Sequence, residues 1–504
     1  MLQQVSEFVG PEVTWWALSP MIALIAGALG MLLVGALTPT WPRGLYAWTS
    51  AAIAAVAGAL AMTQWDDITD EGARTLVGGA LAFDGFAEFS TIIICAALLL
   101  VSLLTSDTLS GTPNDGPEIY ALYQAAAVGG IVMVSANDLI VLFLGLETLS
   151  LALYVLAGSN RRSDASAESG MKYFVLGGFS SAFFLYGIAL VYGATGSTNI
   201  SEMIAALQSG VDLENPDALA LAGIAMLLVG LGFKVAAVPF HSWAPDVYQG
   251  APSPVTAFMA SAGKAAAFCA MVRVLVIALP FYKDDWRPVI WALAVLSLVV
   301  GSVLAVVQRD VKRMLAFSSI NHAGFILVGV EAAAHTAGEA DPGPGIPSVL
   351  LYLMLYAVLV IGSFGVVAVV QRESGGDASL DAFEGLARRR PLLALAFTVL
   401  LLAQAGVPLT SGFVAKFGVI GAAVEEQSYA IAVIAMVAAV VAAFVYLRIM
   451  VSMWLGDAVE EAPRAPVSFA AGLSIVAAVV FTLVVGIVPG WLIDAADQAT
   501  ALVP

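Results

Sequence analysis

Long apolar stretches separated by short polar segments run along the whole of this chain. An α-helix needs roughly 20 apolar residues to cross a bilayer, and most of these stretches reach that length. The pattern predicts an all-α polytopic membrane protein with about fourteen transmembrane segments. We place these segments at 17–37, 44–63, 84–105, 118–135, 137–157, 169–193, 218–238, 254–280, 288–308, 313–331, 347–371, 391–424, 427–455 and 466–489.

Two of the segments are interrupted. Pro239 and Pro245 disrupt the end of segment 7, because proline supplies no backbone N–H and clashes with the preceding turn. Segment 12 is interrupted by GVPLTSG at 406–412. The two breaks lie five helices apart, which predicts two five-helix repeats, segments 4–8 and 9–13, each with one broken helix. Because five is odd, the repeats would be inverted in the membrane. The corresponding domains are 1–117, 118–280, 281–455 and 456–504.

Composition agrees with a membrane location and excludes several functions. The chain is 60% hydrophobic and 11% charged, whereas soluble domains are about 25% charged. The net charge of −17 lies mainly in loops and argues against nucleic-acid binding. Cys95 and Cys269 lie apart inside apolar runs, so neither an iron–sulfur site nor a structural disulfide is expected. No nucleotide-binding or metal-ligand motif is present, so we expect no cofactor in this chain.

The basic residues predict the orientation. With both termini outside, eleven of the 20 Lys and Arg fall in inner loops and only three, Arg74, Lys283 and Arg287, in outer loops. Cytoplasmic loops are enriched in Lys and Arg, so both termini are expected outside. We read the acidic outer stretches 64–72, 212–217 and 338–345 as solvated loops. The stretch 372–391 would be a short surface helix or a basic anchor. The inner eleven are Arg43, Arg161, Arg162, Arg309, Lys312, Arg313, Arg372, Arg388, Arg389, Arg390 and Arg464.

The remaining charges inside the segments are the candidate functional residues. Glu147 lies in the middle of segment 5, and Lys234, two segments later, is its natural partner. At about 4 Å and an effective dielectric near 20, such a pair attracts by roughly 4 kcal/mol. Making or breaking the pair would switch the lysine between its charged and neutral forms. A static buried ion pair is the structural alternative.

Other basic residues divide by position. Lys264 has small neighbours that leave room for water, and Lys416 follows the second break. Neither lies close to a segment end, so snorkelling does not explain them. Lys172 begins segment 6, where snorkelling explains it as well as function does. Arg273 and Arg448 lie toward segment ends, and we interpret both as anchors.

Two histidines are further candidates, because histidine titrates near neutral pH. His241 follows Pro239 in the first break, and His322 lies in SSINHAGF within segment 10. Ser and Asn beside His322 would bind water in a relay, although a hydrogen-bonded packing histidine fits almost as well. His335 lies in a predicted outer loop, and we read it as solvated.

These motifs resemble the antiporter-like membrane subunits of proton-pumping NADH:quinone oxidoreductase (respiratory complex I), and most closely its N-type subunit. The matching stretches are LFLGLETLSLALYVL, GMKYFVLGGFSSAFFLYG, FKVAAVPFHSWAPDVYQGAPSPVTAFMASAGKAA, SSINHAGF and GVPLTSGFVAKF. They span about 137–420, and the fourteen-segment plan extends the match to nearly the whole chain.

The resemblance implies that Glu147 and Lys234 form a buried pair, with Lys264 as central relay and Lys416 as terminal proton carrier. It implies a non-redox, proton-translocating subunit of a bacterial cytoplasmic-membrane complex. NADH, FMN, iron–sulfur clusters and quinone would act in partner subunits, and neighbouring antiporter-like and small K-type subunits would be the contacts. A multi-component Na+/H+ antiporter subunit shares the fold and is the alternative; a structural scaffold is a further one.

Overall fold

The computed structural model describes residues 12–38, 41–42, 44–109, 116–209, 216–457, 466–500 and 502–503. Two of the inner-loop arginines, Arg43 and Arg464, lie outside these residues, as does most of the predicted outer loop 212–217. Within the described chain, thirteen helices are long and apolar enough to span a membrane. The one predicted segment that is not among them, 391–424, is divided into two shorter helices. The prediction of an all-α polytopic fold is therefore confirmed.

The helices follow the predicted order closely. The spans before the first break are α1 Ser19–Leu37, α2 Leu45–Glu71, α3 Gly85–Leu109, α4 Pro117–Ser135, α5 Leu139–Ala157 and α6 Asp164–Thr195, with the short α7 Ile200–Ser209 after them. The first broken segment is α8 Pro216–Lys234 and α9 Trp243–Gly250. The next span is a continuous run of α10 Ser253–Phe258, a π-turn Met259–Gly263, α11 Lys264–Val272 and a second π-turn Arg273–Ile277.

The second half has the same plan. It comprises α12 Lys283–Val306, α13 Val311–His335, α14 Gly345–Glu373, the four-residue α15 Leu386–Arg389, the broken pair α16 Pro391–Ala405 and α17 Ser411–Glu425, α18 Tyr429–Leu455, α19 Phe469–Ile487 and α20 Gly490–Gln498. Both breaks therefore lie where proline and glycine predict them. The inverted relation of the repeats and the domain boundaries stay predictions.

The two ends of the helix bundle differ in charge. We name the end at which α13 begins, with Arg313, the basic end. The end at which α13 finishes, with Glu331 one turn before its last residue, is the acidic end. A two-stranded hairpin, β1 Arg74–Leu76 and β2 Leu81–Phe83, lies between α2 and α3 at the acidic end. The hairpin, α7 and α20 were not predicted, because short elements at a membrane surface leave no long apolar run.

Helix α3 is almost wholly buried, and a buried ion pair holds its acidic end. Arg273 in the second π-turn donates from Nη2 to Asp84 Oδ1 at 2.7 Å, and both side chains are at most 1% exposed. Its Nε donates to the Val134 carbonyl, and its guanidinium carbon lies 5.1 Å from the centre of the Phe86 ring. The prediction that Arg273 is an end anchor is wrong, because its side chain is buried in an ion pair with Asp84. Sequence spacing does not reveal this partner, which precedes Arg273 by 189 residues.

The opposite end of α3 is tied in a similar way. Arg372 at the end of α14 lies 2.7 Å from the Asp107 carboxylate. The Asp107 Oδ1 atom also accepts from the Ser468 backbone N–H, just before α19, at 2.7 Å. Helix α3 is therefore tied at its acidic end to the second π-turn and at its opposite end to α14 and the start of α19.

Candidate functional site

The first break in the helices presents Lys234. This residue ends α8, is 6% exposed, and donates from Nζ to Ser150 Oγ of α5 at 2.5 Å. Its ammonium group also lies 5.8 Å from the ring centre of Tyr154 and 5.5 Å from that of Tyr173. Both distances are within the range of a cation–π contact. Lys234 is therefore held by a hydroxyl and two aromatic faces.

Polar side chains satisfy the backbone that the first break frees. The Val238 N–H donates to Ser297 Oγ of α12 at 2.9 Å, and Trp243 Nε1 donates to the Phe233 carbonyl at 3.0 Å. Irregular backbone at membrane depth is tolerated only where protein or trapped water supplies such partners. Ala236 adopts a positive φ of 58°, a conformation that L-residues rarely take. The break is therefore stabilised by specific hydrogen bonds within the folded chain.

Glu147 lies on α5, three residues before Ser150. Among the described residues no ion pair within 4.0 Å joins it to Lys234, and its Oε1 atom is buried with no hydrogen-bond partner. The predicted contact pair is therefore not formed in this structure. The reason is local, because Ser150 presents its hydroxyl one turn further along the same helix and accepts the hydrogen bond from Lys234 instead.

Lys264 occupies the centre of the bundle. It begins α11 directly after the π-turn Met259–Gly263, is 2% exposed, and donates from Nζ to the Ser319 carbonyl of α13 at 2.6 Å. A π-turn is often found at functional positions, because its wider turn re-aims the side chains that follow it. The expected small neighbours are present, since Gly263 and Ala265 flank the lysine.

His322 is enclosed by tyrosines. It is 2% exposed; Nδ1 lies 2.6 Å from the Tyr352 hydroxyl and Nε2 lies 3.3 Å from the Tyr446 hydroxyl. The Tyr446 hydroxyl also lies 2.5 Å from Ser318 Oγ, and the Tyr356 ring is 4.7 Å from the imidazole ring, centre to centre. Both ring nitrogens therefore have hydroxyl partners, which can donate or accept a proton.

Lys416 closes the second break. It is 5% exposed and donates from Nζ to the Gln404 and Ala405 carbonyls at 2.8 and 3.0 Å. These carbonyls end α16, where a cation is favoured by the helix dipole. Its ammonium group also lies 5.0 Å from the Phe325 ring centre. Lys416 thus replaces the hydrogen bonds that the break removes.

A common property links the buried lysines. Lys234, Lys264 and Lys416 each bond to a hydroxyl or carbonyl oxygen and to no carboxylate within 4.0 Å in the described chain. A fourth, Lys312, was placed in an inner loop by sequence; it is 1% exposed in the first turn of α13 and donates to the Ala251 carbonyl at 2.6 Å. Neutral acceptors can hold either protonation state of an amine, so these groups are suited to exchanging protons.

Two of the predicted site residues, His241 and Lys172, lie away from the buried lysines. His241 is in the first break, only partly buried, and its Nδ1 atom has no hydrogen-bond partner. Lys172 lies at the basic end with its side chain 39% exposed, and it bonds to Glu168 at 2.6 Å and Asp246 at 2.8 Å. The exposure of Lys172 favours the snorkelling interpretation that the sequence left open.

Asp246 is the centre of a surface charge cluster at the basic end. Its Oδ2 atom accepts from Lys172 at 2.8 Å and its Oδ1 atom from Arg313 at 2.7 Å. Partial burial raises the pKa of Asp246, but the hydrogen bonds from Lys172 and Arg313 outweigh burial and hold that pKa below its ordinary value. The cluster joins α6, α9 and α13.

Arg448 and His335 are the remaining basic residues for which the sequence makes a prediction. Arg448 donates from Nη1 to the Val306 and Gln308 carbonyls, both at 2.9 Å, which agrees with an anchor. The interpretation of His335 as a solvated loop residue is wrong, because it ends α13 and its side chain is only 24% exposed.

The sequence analysis did not identify Tyr352 and Tyr446, the two hydroxyl partners of His322. A tyrosine in an apolar helix has no distinguishing local pattern.

A family model described as "NADH:quinone oxidoreductase/Mrp antiporter, TM" matches residues 136–442. A protein named NADH-quinone oxidoreductase subunit N from Rhodococcus opacus is 40% identical, with 99% of this chain and 98% of the relative covered. A chain of respiratory complex I from Thermus thermophilus is 32% identical with a TM-score of 0.77, and 94% of this chain and 98% of that chain are covered.

A more distant solved structure has the same fold. A chain of the Mrp complex from Dietzia sp. is 21% identical with a TM-score of 0.80, and the match covers 97% of both chains. At this level of identity the likeness concerns the fold alone. The fold is therefore shared by more than one kind of membrane complex.

Proposed function

This chain belongs to the family of NADH-quinone oxidoreductase subunit N, and we propose that it is a proton-translocating subunit in the membrane arm of respiratory complex I. In that role it contacts other membrane-arm subunits and the lipid bilayer. Its contribution to the enzyme is non-redox, so NADH, FMN, iron–sulfur clusters and quinone act in partner subunits. Electron transfer there supplies the energy that moves protons here.

The proposed route follows the buried lysines. Protons move between Lys234, Lys264 and Lys416, with His322 and its tyrosines between the last two. Glu147 lies one turn from the lysine's hydroxyl partner, and its approach to Lys234 in another state of the complex would change the charge on that lysine. Repulsion between like charges would then pass the proton along the line. Trapped water is needed for the gaps between these groups.

One observation carries the proposal: three lysines, each at most 6% exposed, lie at or beside the broken or distorted parts of membrane-spanning helices, and the buried His322 lies within α13 between two of them. An ionisable residue inside a membrane span is expensive and usually marks an ion or proton path. Arg273, a permanent charge that is fully buried, is by contrast paired with an acid, Asp84. The buried lysines have only neutral partners.

Orientation and location follow from charge. We infer that the basic end faces the cytoplasm of a bacterium and the acidic end faces outward, with both termini outside. The inner loops carry most of the loop Lys and Arg, and this bias usually sets the orientation of membrane helices.

The test uses the intact complex reconstituted into liposomes, with Lys264 replaced in two ways. Lys264→Met keeps the approximate length of the side chain and removes the amine. Lys264→Arg keeps a permanent positive charge, because arginine is not deprotonated in proteins. We expect both variants to lose most NADH-driven proton pumping and coupled quinone reduction. NADH oxidation by an artificial acceptor should continue, since it needs only the redox subunits.

The exposed Lys172→Ala variant is the matched control, and we expect it to pump at close to the wild-type rate. Wild-type pumping in Lys264→Met would contradict the proposal. Wild-type pumping in Lys264→Arg alone would mean that a fixed charge is enough and that Lys264 does not exchange its proton. A requirement for sodium in the same vesicles would instead favour the Na+/H+ antiporter alternative.

A further inference from the structure

Glu331 is a buried carboxyl group that the proposed route does not use. It lies one turn before the acidic end of α13 and is 3% exposed. Its Oε1 atom accepts from Ser428 Oγ at 3.0 Å and lies 3.4 Å from His335 Nε2. Its Oε2 atom is buried and has no hydrogen-bond partner. A buried carboxyl group with one bonded and one unbonded oxygen has a free position for a proton.

The tautomer of His335 follows from its neighbours. Arg287 of α12 places Nη1 3.3 Å from His335 Nδ1. A guanidinium group can only donate, so this contact assigns the acceptor role to Nδ1 and the ring proton to Nε2. That proton points toward Glu331 and Ser428, which lie 3.4 and 3.2 Å from Nε2. His335 Nε2 and Ser428 Oγ therefore both face Glu331 Oε1 as donors, and they stabilise the charged form of Glu331.

The cluster reaches the surface through a second acid. Glu426, which follows α17, lies 4.0 Å from His335 Nδ1, and its side chain is 19% exposed. Lys283 of α12 donates to the His335 carbonyl at 3.0 Å and lies 3.4 Å from Glu339. The charged groups thus come from α12, from the end of α13 and the loop that follows it, and from the turn between α17 and α18.

The cluster lies beyond Lys416 in the direction of the acidic end. The Lys416 ammonium group is 5.0 Å from the Phe325 ring, and Glu331 follows Phe325 by six residues, or about 9 Å of helix rise. Ser348 of α14 lies on this stretch, next to Gly329, where an added Cβ would be 3.2 Å from its hydroxyl oxygen. A few water molecules and one hydroxyl would span the distance.

We propose that Glu331 is a proton-release group of this subunit: it takes a proton from Lys416 and passes it to Glu426 and the outer medium. In this step the ammonium group becomes an amine, the Glu331 carboxylate becomes a carboxylic acid at Oε2, and the same proton then leaves. His335 and Ser428 are positioning residues that stabilise the carboxylate after release. The inference rests on the proposed function and extends it to the acidic end of the bundle.

The experiment uses the reconstituted complex with Glu331→Gln, which keeps the shape and removes the titratable group. We expect the initial rate of NADH-driven pumping to fall at least about tenfold, in keeping with the loss of a positioned acid–base group. NADH oxidation by an artificial acceptor should not change. Infrared difference spectra on NADH addition should lose a protonated-carboxyl C=O band. The matched control is Glu339→Gln, an acid at the same end whose side chain is 59% exposed; it should pump normally.

Three further variants separate the possible outcomes. His335→Asn should change how the pumping rate depends on pH at the acidic end, which a purely structural residue would not do. If Glu331→Gln fails to assemble, Glu331→Asp decides: slower pumping with an altered pH profile supports the inference, and wild-type rate and profile overturn it. If Lys416→Met stops pumping and Glu331→Gln does not, release occurs elsewhere while the proposed function stands. If both variants pump normally, the proposed function also falls.

Discussion

Replacing Gly412 by alanine tests whether the geometry of the second break matters for Lys416. Gly412 is the second residue of α17, and a Cβ atom there would be 1.8 Å from the Ala403 carbonyl oxygen of α16. Real Cβ atoms essentially never approach closer than 3.0 Å, so the two half-helices must separate by about 1.2 Å. No flexible side chain can absorb the overlap, because the obstructing atom belongs to the backbone.

The size of the effect on Lys416 follows from its hydrogen bonds. Its Nζ atom is 2.8 Å from the Gln404 carbonyl, and a separation of about 1.2 Å along that direction would lengthen the contact to about 4 Å, beyond the range of a hydrogen bond. A hydrogen bond to a charged group contributes about 1.5–3 kcal/mol. We therefore expect proton pumping in Gly412→Ala to fall about tenfold or more.

Gly421→Ala on the same helix is the matched control, because nothing lies within 4 Å of its added Cβ. Alanine is the better helix former by about 1 kcal/mol, so this variant should be as stable as wild type or more so. Pumping and quinone reduction would be measured in liposomes for both variants, with subunit content checked by gel. Equal pumping in the two variants would refute the reasoning that the break positions Lys416.

Three other variants test individual contacts. Arg273→Ala leaves Asp84 buried without its partner and should destabilise the assembled subunit by about 3–5 kcal/mol, seen as a lower unfolding temperature, with normal pumping in the complexes that do assemble; equal stability to wild type would contradict the buried pair. Tyr352→Phe removes the hydroxyl beside His322, and the loss of about 1 kcal/mol should slow pumping about fivefold in vesicles; an unchanged rate would exclude this hydroxyl from the route. Because the pKa of Asp246 is lowered in the folded protein, its stabilising contribution should be constant from about pH 5 to 8, and it should be lost as the pH falls below about 4 and through the lowered pKa. The difference in unfolding temperature between wild type and Asp246→Asn measures this, and a difference that grows as the pH falls would reverse the sign.

Much of the fold could be predicted because its determinants are local. A span is set by a continuous apolar run, and each break is set by residues within it, such as Pro239 in the first and Gly406 and Gly412 in the second. The lysines at and beside the breaks stand out for the same reason, since a charge inside an apolar run is visible without any alignment. Lys234, Lys264 and Lys416 were all predicted in this way, and all three are buried.

The pairings could not be predicted, because they join residues far apart in sequence. Glu147 and Lys234 are the natural pair by charge, yet Lys234 donates its hydrogen bond to Ser150, one turn further along α5. Arg273 pairs with Asp84, the first residue of the predicted third segment, which lies 189 residues earlier in the chain. Register and rotation of each helix decide such contacts, and hydropathy carries little information about either.

The contrast between arginine and lysine gives a reason for the arrangement as a whole. Arginine stays charged, and here Arg273 and Arg372 pair with Asp84 and Asp107 at the two ends of α3, where a permanent charge fixes helices in place. Lysine can lose its proton, and the buried lysines contact only neutral oxygen atoms, which place no fixed negative charge against them. An acid beside Lys264 would hold its proton in place. The absence of such an acid among the described residues within 4.0 Å is therefore what a movable proton requires.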